Sequence, residues 1–309
     1  MDAPQVLIAV VLIILVVVLA VLCAALASIG PGASWVVGGT ARPWWEDDVP
    51  PGVQKAVRAY AQRAIVPKLR GGDRASFNKV LRDALRGGPT REDLAALQKF
   101  LRRSRLSGRG AGRGEAGRAS QRAQEIIDLV PPGASGPYLD LGCGDGTITT
   151  AVSKALGVRA TCIEVGPRPR DFPRSVKRVD AGKFSRLGTA TFGVATALMS
   201  LHHLEDPDTT LAELARVVRV GGILVLREHD LKECPHEITS PEGARQYLDW
   251  IHILYDLAEG LEPEAFGRSR YHTPEEWAAM LARAGFVPVG SARLRGDRVC
   301  SYYAAYSRE

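Results

Sequence analysis

Cysteine is scarce in this 309-residue chain: Cys23, Cys143, Cys162, Cys234 and Cys300 stand far apart, and no C-x-x-C pair occurs. So sparse and odd a set excludes a disulfide-built scaffold and fits a reducing compartment. Aromatic residues are few as well, at 6%. What is present is ordinary in bulk: 46% apolar and 24% charged residues exclude a wholly disordered, collagenous or low-complexity chain. The length allows one large domain or two modest ones.

Charge is absent from residues 3 to 41, and inside that stretch residues 6–27 (VLIAVVLIILVVVLAVLCAALA) are apolar without interruption. About 20 such residues cross the hydrocarbon core as a helix. Sixteen of the 22 are Val, Ile or Leu, which favours insertion by at most about 6 kcal/mol. Ala25-Leu26-Ala27 resembles a signal-peptidase site, but the run has no basic residues ahead of it and is longer than a signal core. A retained anchor is therefore expected over residues 1–30. Only Asp2 precedes the run, whereas Arg42, Lys55, Arg58 and Arg63 follow it, which places the rest of the chain in the cytosol as a single-pass membrane protein.

After a juxtamembrane linker at 31–52, residues 53–122 carry 18 Lys and Arg against 5 Asp and Glu, while the remainder of the chain is net negative. FNKVLRDALR and REDLAALQKFLRRSR show helical apolar spacing, and the Gly- and Arg-rich run 107–118 reads as a flexible linker. Three readings of this basic segment stand side by side: contact with anionic lipid next to the anchor, contact with nucleic-acid phosphates, or a solvated linker. With few aromatics to stack on bases, nucleic acid is the less favoured partner.

Beyond residue 122 short apolar runs (PYLDLG, ATCIEV, FGVATALM, GGILVLRE, FVPVG) alternate with helical patterns such as TITTAVSKAL and DTTLAELARVVR. Strand–helix alternation predicts a mostly parallel sheet with helices on both faces and a ligand site beyond the carboxyl ends of the strands. The first of those ends is Asp140-Leu141-Gly142-Cys143-Gly144-Asp145-Gly146. Glycines at alternate positions admit a ligand close to the backbone. A dinucleotide fingerprint would place the third glycine one residue later, and Asp140 suits a cationic ligand better than a diphosphate.

These residues resemble the class I S-adenosylmethionine-dependent methyltransferases, specifically the methyltransferase type 11 group, over about residues 124–309. Glu164 lies 22 residues after Gly142, where the family places an acid for the two ribose hydroxyls. Asp180-Ala181 resembles the family's loop beside the adenine. FGVATALMSLHHLEDP resembles its fourth strand and continuation, and ELARVVRVGGILVLREHD the helix, turn and fifth strand that follow. The resemblance implies a Rossmann-like, seven-stranded, mostly parallel α/β sheet at 123–309. It also implies S-adenosylmethionine as cofactor, held by Asp140, Gly142, Cys143, Gly144, Gly146, Glu164, Asp180, Ala181, Met199 and Ser200. No Asn-Pro-Pro-Tyr or Asp-Pro-Pro-Tyr follows the fourth strand, unlike members that methylate base amino groups, and the Lys-Asp-Lys-Glu tetrad of ribose methyltransferases is missing.

A methyl on a good leaving group needs chiefly proximity and alignment, and a hydroxyl acceptor gains from a general base. His202, His203 and His229 are the candidates, all near the carboxyl ends of strands. The segment YLDWIHILYDLAEG reads as a cap helix, with Trp250, His252, Tyr255 and Tyr271 as candidates for the acceptor pocket. His229, Cys234 and His236 crowd together but lack a second ligand pair at zinc spacing, so no metal is expected. The resulting expectation is a membrane-anchored methyltransferase acting on an unidentified lipid, quinone, small molecule or membrane protein. The alternative is a tethered lipid- or nucleic-acid-binding module with a non-catalytic S-adenosylmethionine-binding domain.

Overall fold

The computed structural model describes residues 47–69, 73–103, 113–165, 168–259, 269–291, 293–294 and 299–309. The apolar run at 6–27 lies outside them. Among the described residues no helix is long and apolar enough to cross a membrane.

Three helices come first: α1 (Pro51–Ala64), α2 (Asp73–Ala84) and α3 (Arg91–Arg103). Then α4 (Arg113–Ile127), β1 (Tyr138–Leu141), α5 (Thr147–Leu156), β2 (Ala160–Glu164), β3 (Val176–Asp180) and β4 (Phe192–Leu198) follow. The chain continues through α6 (Pro207–Val217), β5 (Val218–His229), α7 (Pro241–Glu259), α8 (Pro274–Arg283), β6 (Phe286–Pro288), β7 (Arg293–Leu294) and β8 (Ser301–Arg308). Seven strands lie in the order β3-β2-β1-β4-β5-β8-β6, and the two-residue β7 pairs with β8 off that path. The first five are parallel, and β8 runs antiparallel to β5, β6 and β7. The expected seven-stranded sheet is present, with β7 as a short addition.

The unbroken apolar runs follow from burial on both faces. In β5, Leu224 and Leu226 share a core with Leu211, Leu214, Trp277 and Leu281 of α6 and α8. Ile223 and Val225, one residue out of phase, share the other core with Ala123, Ile126 and Val152 of α4 and α5. Thr273 caps α8 through the Glu276 amide while the Glu276 side chain returns to the Thr273 amide, the capping box its sequence predicts.

Two expectations change. The Gly- and Arg-rich run is not linker throughout, because α4 begins at Arg113 and crosses the expected boundary at residue 122. Ala119, Ala123 and Ile126 recur at helical spacing and are buried; that burial outweighs the poor helix propensity of Gly114 and Gly117. Nor are α1–α3 a solvated linker. Val57, Phe77, Leu94 and Leu97 form one core with Leu248, Ile251 and Leu254 of α7. Tyr60 on α1 donates to the Tyr255 hydroxyl on α7 at 2.7 Å. This helical layer also buries Leu231, Tyr271 and Cys300, so it roofs the carboxyl end of the sheet beside β5. Its Lys55, Arg63, Lys79, Arg86, Lys99 and Arg102 are exposed.

Candidate active site

Between β1 and β4 the strand order reverses, which opens a crevice at the carboxyl ends of these two strands. The glycine turn lies there. Gly142, Gly144 and Gly146 take φ of +77°, +55° and +77°, a region that a side chain strains. Gly142 is also sterically forced: a Cβ there would stand 2.6 Å from the Ser200 Cβ after β4. Gly144 is different, because a Cβ on it would meet nothing within 4 Å. The backbone is therefore bare toward open space at Gly144. Its amide donates to Glu164 Oε2 at 2.7 Å, and the Val165 amide donates to Glu164 Oε1 at 2.9 Å. Each carboxylate oxygen of Glu164 keeps a lone pair for a further donor. Asp180 ends the neighbouring β3 directly beside Glu164 in register, accepting the Gly182 amide at 2.9 Å. Ala181 packs against the core below.

Two of the expected cofactor residues face elsewhere. Asp140 is buried beneath the turn, and its carboxylate accepts from Thr149 at 2.5 Å and Thr196 at 2.7 Å. Tyr138 extends the network through a 2.6 Å contact with Thr196. Asp140 thus ties the turn's helix to β4, and burial raises its pKa despite these hydrogen bonds. Cys143 is joined to Cys162 of β2 by a disulfide with Cα atoms 5.8 Å apart, so its thiol is not a ligand contact. This cross-link between the glycine turn and β2 is one that sequence spacing does not reveal, and it departs from the expectation of reduced cysteines.

On the other wall Met199 has φ +58°, a rare value for a side chain, and donates its amide to the Arg227 carbonyl at 2.7 Å. This kink starts the turn carrying Ser200, His202 and His203. Glu228, buried in β5, pins that turn by accepting from the Ser200 amide at 3.1 Å and the Leu201 amide at 2.8 Å. Its other oxygen meets His202 Nδ1 at 2.5 Å. His203 packs 4.1 Å from His202, ring centre to ring centre. His252 of α7 and His229 of β5 each lie 5.0 Å from His202. Tyr271 stacks on His202 at 5.4 Å. All three histidines expected from the sequence therefore converge, with His252 as a fourth. Burial pushes the His229 pKa down to about 3 and those of His202, His203 and His252 below the usual range, and burial raises that of Glu228.

Residues 116–290 match the model of the family described as methyltransferase domain. The chain belongs to this family. The 2-methyl-6-phytyl-1,4-hydroquinone methyltransferase of Synechocystis sp. is 30% identical over 147 residues, covering 43% of this chain and 45% of that protein. The ubiquinone biosynthesis O-methyltransferase of Thiobacillus denitrificans is 26% identical over 208 residues, covering 59% and 83%. The solved 1,6-didemethyltoxoflavin-N1-methyltransferase of Burkholderia thailandensis is 20% identical with a TM-score of 0.43, covering 71% of this chain and 90% of its own. The chain spans 45–65% of the length of the first three curated relatives.

The methyltransferase domain has room and an acceptor for S-adenosylmethionine: open space over the bare backbone at Gly144, and the oriented carboxylate of Glu164 at its edge. The roof residues divide. Tyr271 is buried beside the histidines. Tyr255 instead points outward, half exposed and bonded to Tyr60. Trp250 is buried in the roof's own core and, two residues from His252, faces nearly the opposite side of α7. Neither belongs to the crevice wall. His236 is exposed and contacts Glu237, so the crowding of His229, Cys234 and His236 is sequential only. His202, His203 and His252 bring ligand atoms within 4.8 Å of one another, a grouping that the sequence reading did not assemble. Sequence reasoning missed Glu228, Thr149 and Thr196. A charged residue inside the apolar run GGILVLRE was the available signal for Glu228; nothing local marked the two threonines.

Proposed function

We propose that this protein transfers a methyl group from S-adenosylmethionine to an acceptor hydroxyl in the crevice between β1 and β4. The observation that carries the reading is the bare, left-handed backbone at Gly144 joined to the Glu164 carboxylate. Bound S-adenosylmethionine supplies a methyl group on a sulfonium, a leaving group that needs little help. The chain's own residues then have three tasks. Gly142, Gly144 and Gly146 allow close backbone approach; Glu164 accepts hydrogen bonds from the ribose diol; Asp180 and Ala181 border the adenine end. Met199 and Ser200 close the wall toward the histidines, where the acceptor enters and where a neutral imidazole among His202, His203 and His229 takes the hydroxyl proton as the oxygen bonds to the methyl and the methyl–sulfur bond breaks. Aligning the two substrates supplies much of the acceleration.

A lipid-soluble quinone-type ring is the acceptor class favoured here, supported by the names of two relatives, and of these the ubiquinone biosynthesis O-methyltransferase names oxygen as the methylated atom. Anchoring by residues 6–27, with the domain in the cytosol, is part of the same reading and rests on their apolar run. The exposed basic face of the roof fits contact with anionic lipid beside that anchor.

Calorimetric titration of S-adenosylmethionine and S-adenosylhomocysteine into the whole protein tests the core of the reading. We expect saturable one-site binding, weakened at least about tenfold in Glu164→Ala, the loss of charge-assisted hydrogen bonds. No binding by a folded protein would refute it.

A further inference from the structure

We propose that His202, His203 and His252 form a binding site for a divalent transition-metal ion of the zinc class, on the acceptor side of the crevice. The three rings come from two separate places in the chain, the turn after β4 and the middle of α7, and their ligand atoms lie within 4.8 Å of one another. Ligand nitrogens in a tetrahedral zinc site stand about 3.3 Å apart, given zinc–nitrogen bonds near 2.0–2.1 Å. The ligand atoms therefore stand at most about 1.5 Å farther apart than in such a site.

The second observation is an orphaned atom. His202 is 1% exposed, its Nδ1 is taken by Glu228, and its Nε2 is buried with no hydrogen-bond partner. If Nδ1 donates to Glu228, Nε2 is a bare lone pair in a dry interior; if Nδ1 accepts, Nε2 carries a proton with no acceptor. Either state costs about 1–3 kcal/mol. A cation removes the cost in the first state. The arrangement carboxylate–imidazole–vacant nitrogen is also how metal-ligating histidines are held, with the outer carboxylate fixing tautomer and ring orientation.

His229 repeats the pattern beside them. Its Nδ1 lies 2.5 Å from the Val299 carbonyl and must donate, because a carbonyl has no proton. Its Nε2 therefore presents a lone pair 3.2 Å from His252 Nε2. Four imidazoles face one another with no carboxylate among them other than Glu228, which sits behind His202. Nitrogen-only sets favour zinc, copper, nickel or iron over magnesium or calcium. His203 and His252 are partly exposed, which leaves an entry path. Three protein ligands also leave a fourth position for water or an acceptor oxygen, the pattern of reactive rather than structural zinc sites.

The proposal does not depend on methyl transfer, and its test keeps the two apart. The whole protein, stripped by a chelator, is titrated with Zn2+ and separately with Co2+, while metal content is read by mass spectrometry and cobalt coordination by its visible absorption. We expect one equivalent per chain and tetrahedral cobalt bands. His252→Ala should abolish both. Glu228→Gln, which keeps an oxygen for the Ser200 and Leu201 amides, should lower affinity about 10- to 100-fold. Far-ultraviolet circular dichroism on the same samples reports that each variant is folded. No stoichiometric uptake by the wild type, or uptake unchanged in His252→Ala, would overturn the site, whatever the cofactor titration shows.

Discussion

Alanine at Gly142 and alanine at Gly144 are expected to fail in opposite ways, although both residues sit in the same turn with positive φ. At Gly142 the new Cβ would lie 2.6 Å from the Ser200 Cβ, an overlap no side-chain rotation relieves. The left-handed backbone costs about 1–2 kcal/mol and the forced overlap about 1–3 kcal/mol more. A total near 2–5 kcal/mol corresponds to a fall in Tm of roughly 4–20 °C for a domain this size. Gly144→Ala bears only the first cost, since nothing lies within 4 Å of its Cβ, yet it fills the space assigned to the ligand. Its stability should drop by about 1–2 kcal/mol, whereas S-adenosylhomocysteine affinity should fall at least about tenfold, the equivalent of one displaced good contact. Urea unfolding and calorimetric titration of both variants separate the effects, and Ser200→Gly added to Gly142→Ala should restore part of the lost stability. Wild-type cofactor affinity in Gly144→Ala would refute the placement of the ligand over that backbone.

Asp140→Ala should act on stability first. It strands the Thr149 hydroxyl, at about 1–3 kcal/mol, while Thr196 keeps its contact with Tyr138, and it should weaken cofactor binding less than Glu164→Ala does. Burial raises the folded pKa of Asp140, so the folded state holds the proton more tightly than the unfolded chain. Wild-type stability therefore falls as pH climbs from the ordinary aspartate range to that raised value, and the gap to Asp140→Ala narrows over the same window in urea midpoints. Removing residues 1–103 should expose the apolar face of α7 that Val57, Leu94 and Leu97 cover; we expect aggregation on size-exclusion chromatography, and a stable monomer would show that the roof is dispensable.

Much of the sheet and the cofactor wall was legible because both are written locally. Runs of apolar residues buried on two faces mark β1, β4 and β5, and a turn that needs positive φ three times must spend glycine on it. Glu164 and Asp180 were legible for the same reason, as acids at strand ends. What escaped depends on register and on distant pairing. Asp140 lies opposite Thr196, and no spacing within the chain reveals that a β4 hydroxyl claims the β1 carboxylate. The Cys143–Cys162 link joins the turn after β1 to the neighbouring β2 in the same way. Tyr255 was misplaced because a single aromatic residue on an amphipathic helix does not declare which of two layers it faces. The helical apolar spacing of residues 53–122 was legible, but nothing in it names α7 as the partner, so a packed roof read as a surface strip or linker. His252 was picked out only as a possible substrate contact, since its partners lie 23 and 49–50 residues away.

Sharing one core between α1–α3 and α7 also sets the timing of biosynthesis. The roof's first helices leave the ribosome long before their partner: 156 residues separate Arg103 from Glu259. At about 5–20 residues per second that is an interval of roughly 8–30 s. Throughout it Val57, Phe77, Leu94 and Leu97 have only one another for cover, beneath a shell of like charges that repels other nascent chains. The basic exterior of the roof would then serve as protection during synthesis, before it has any surface to bind.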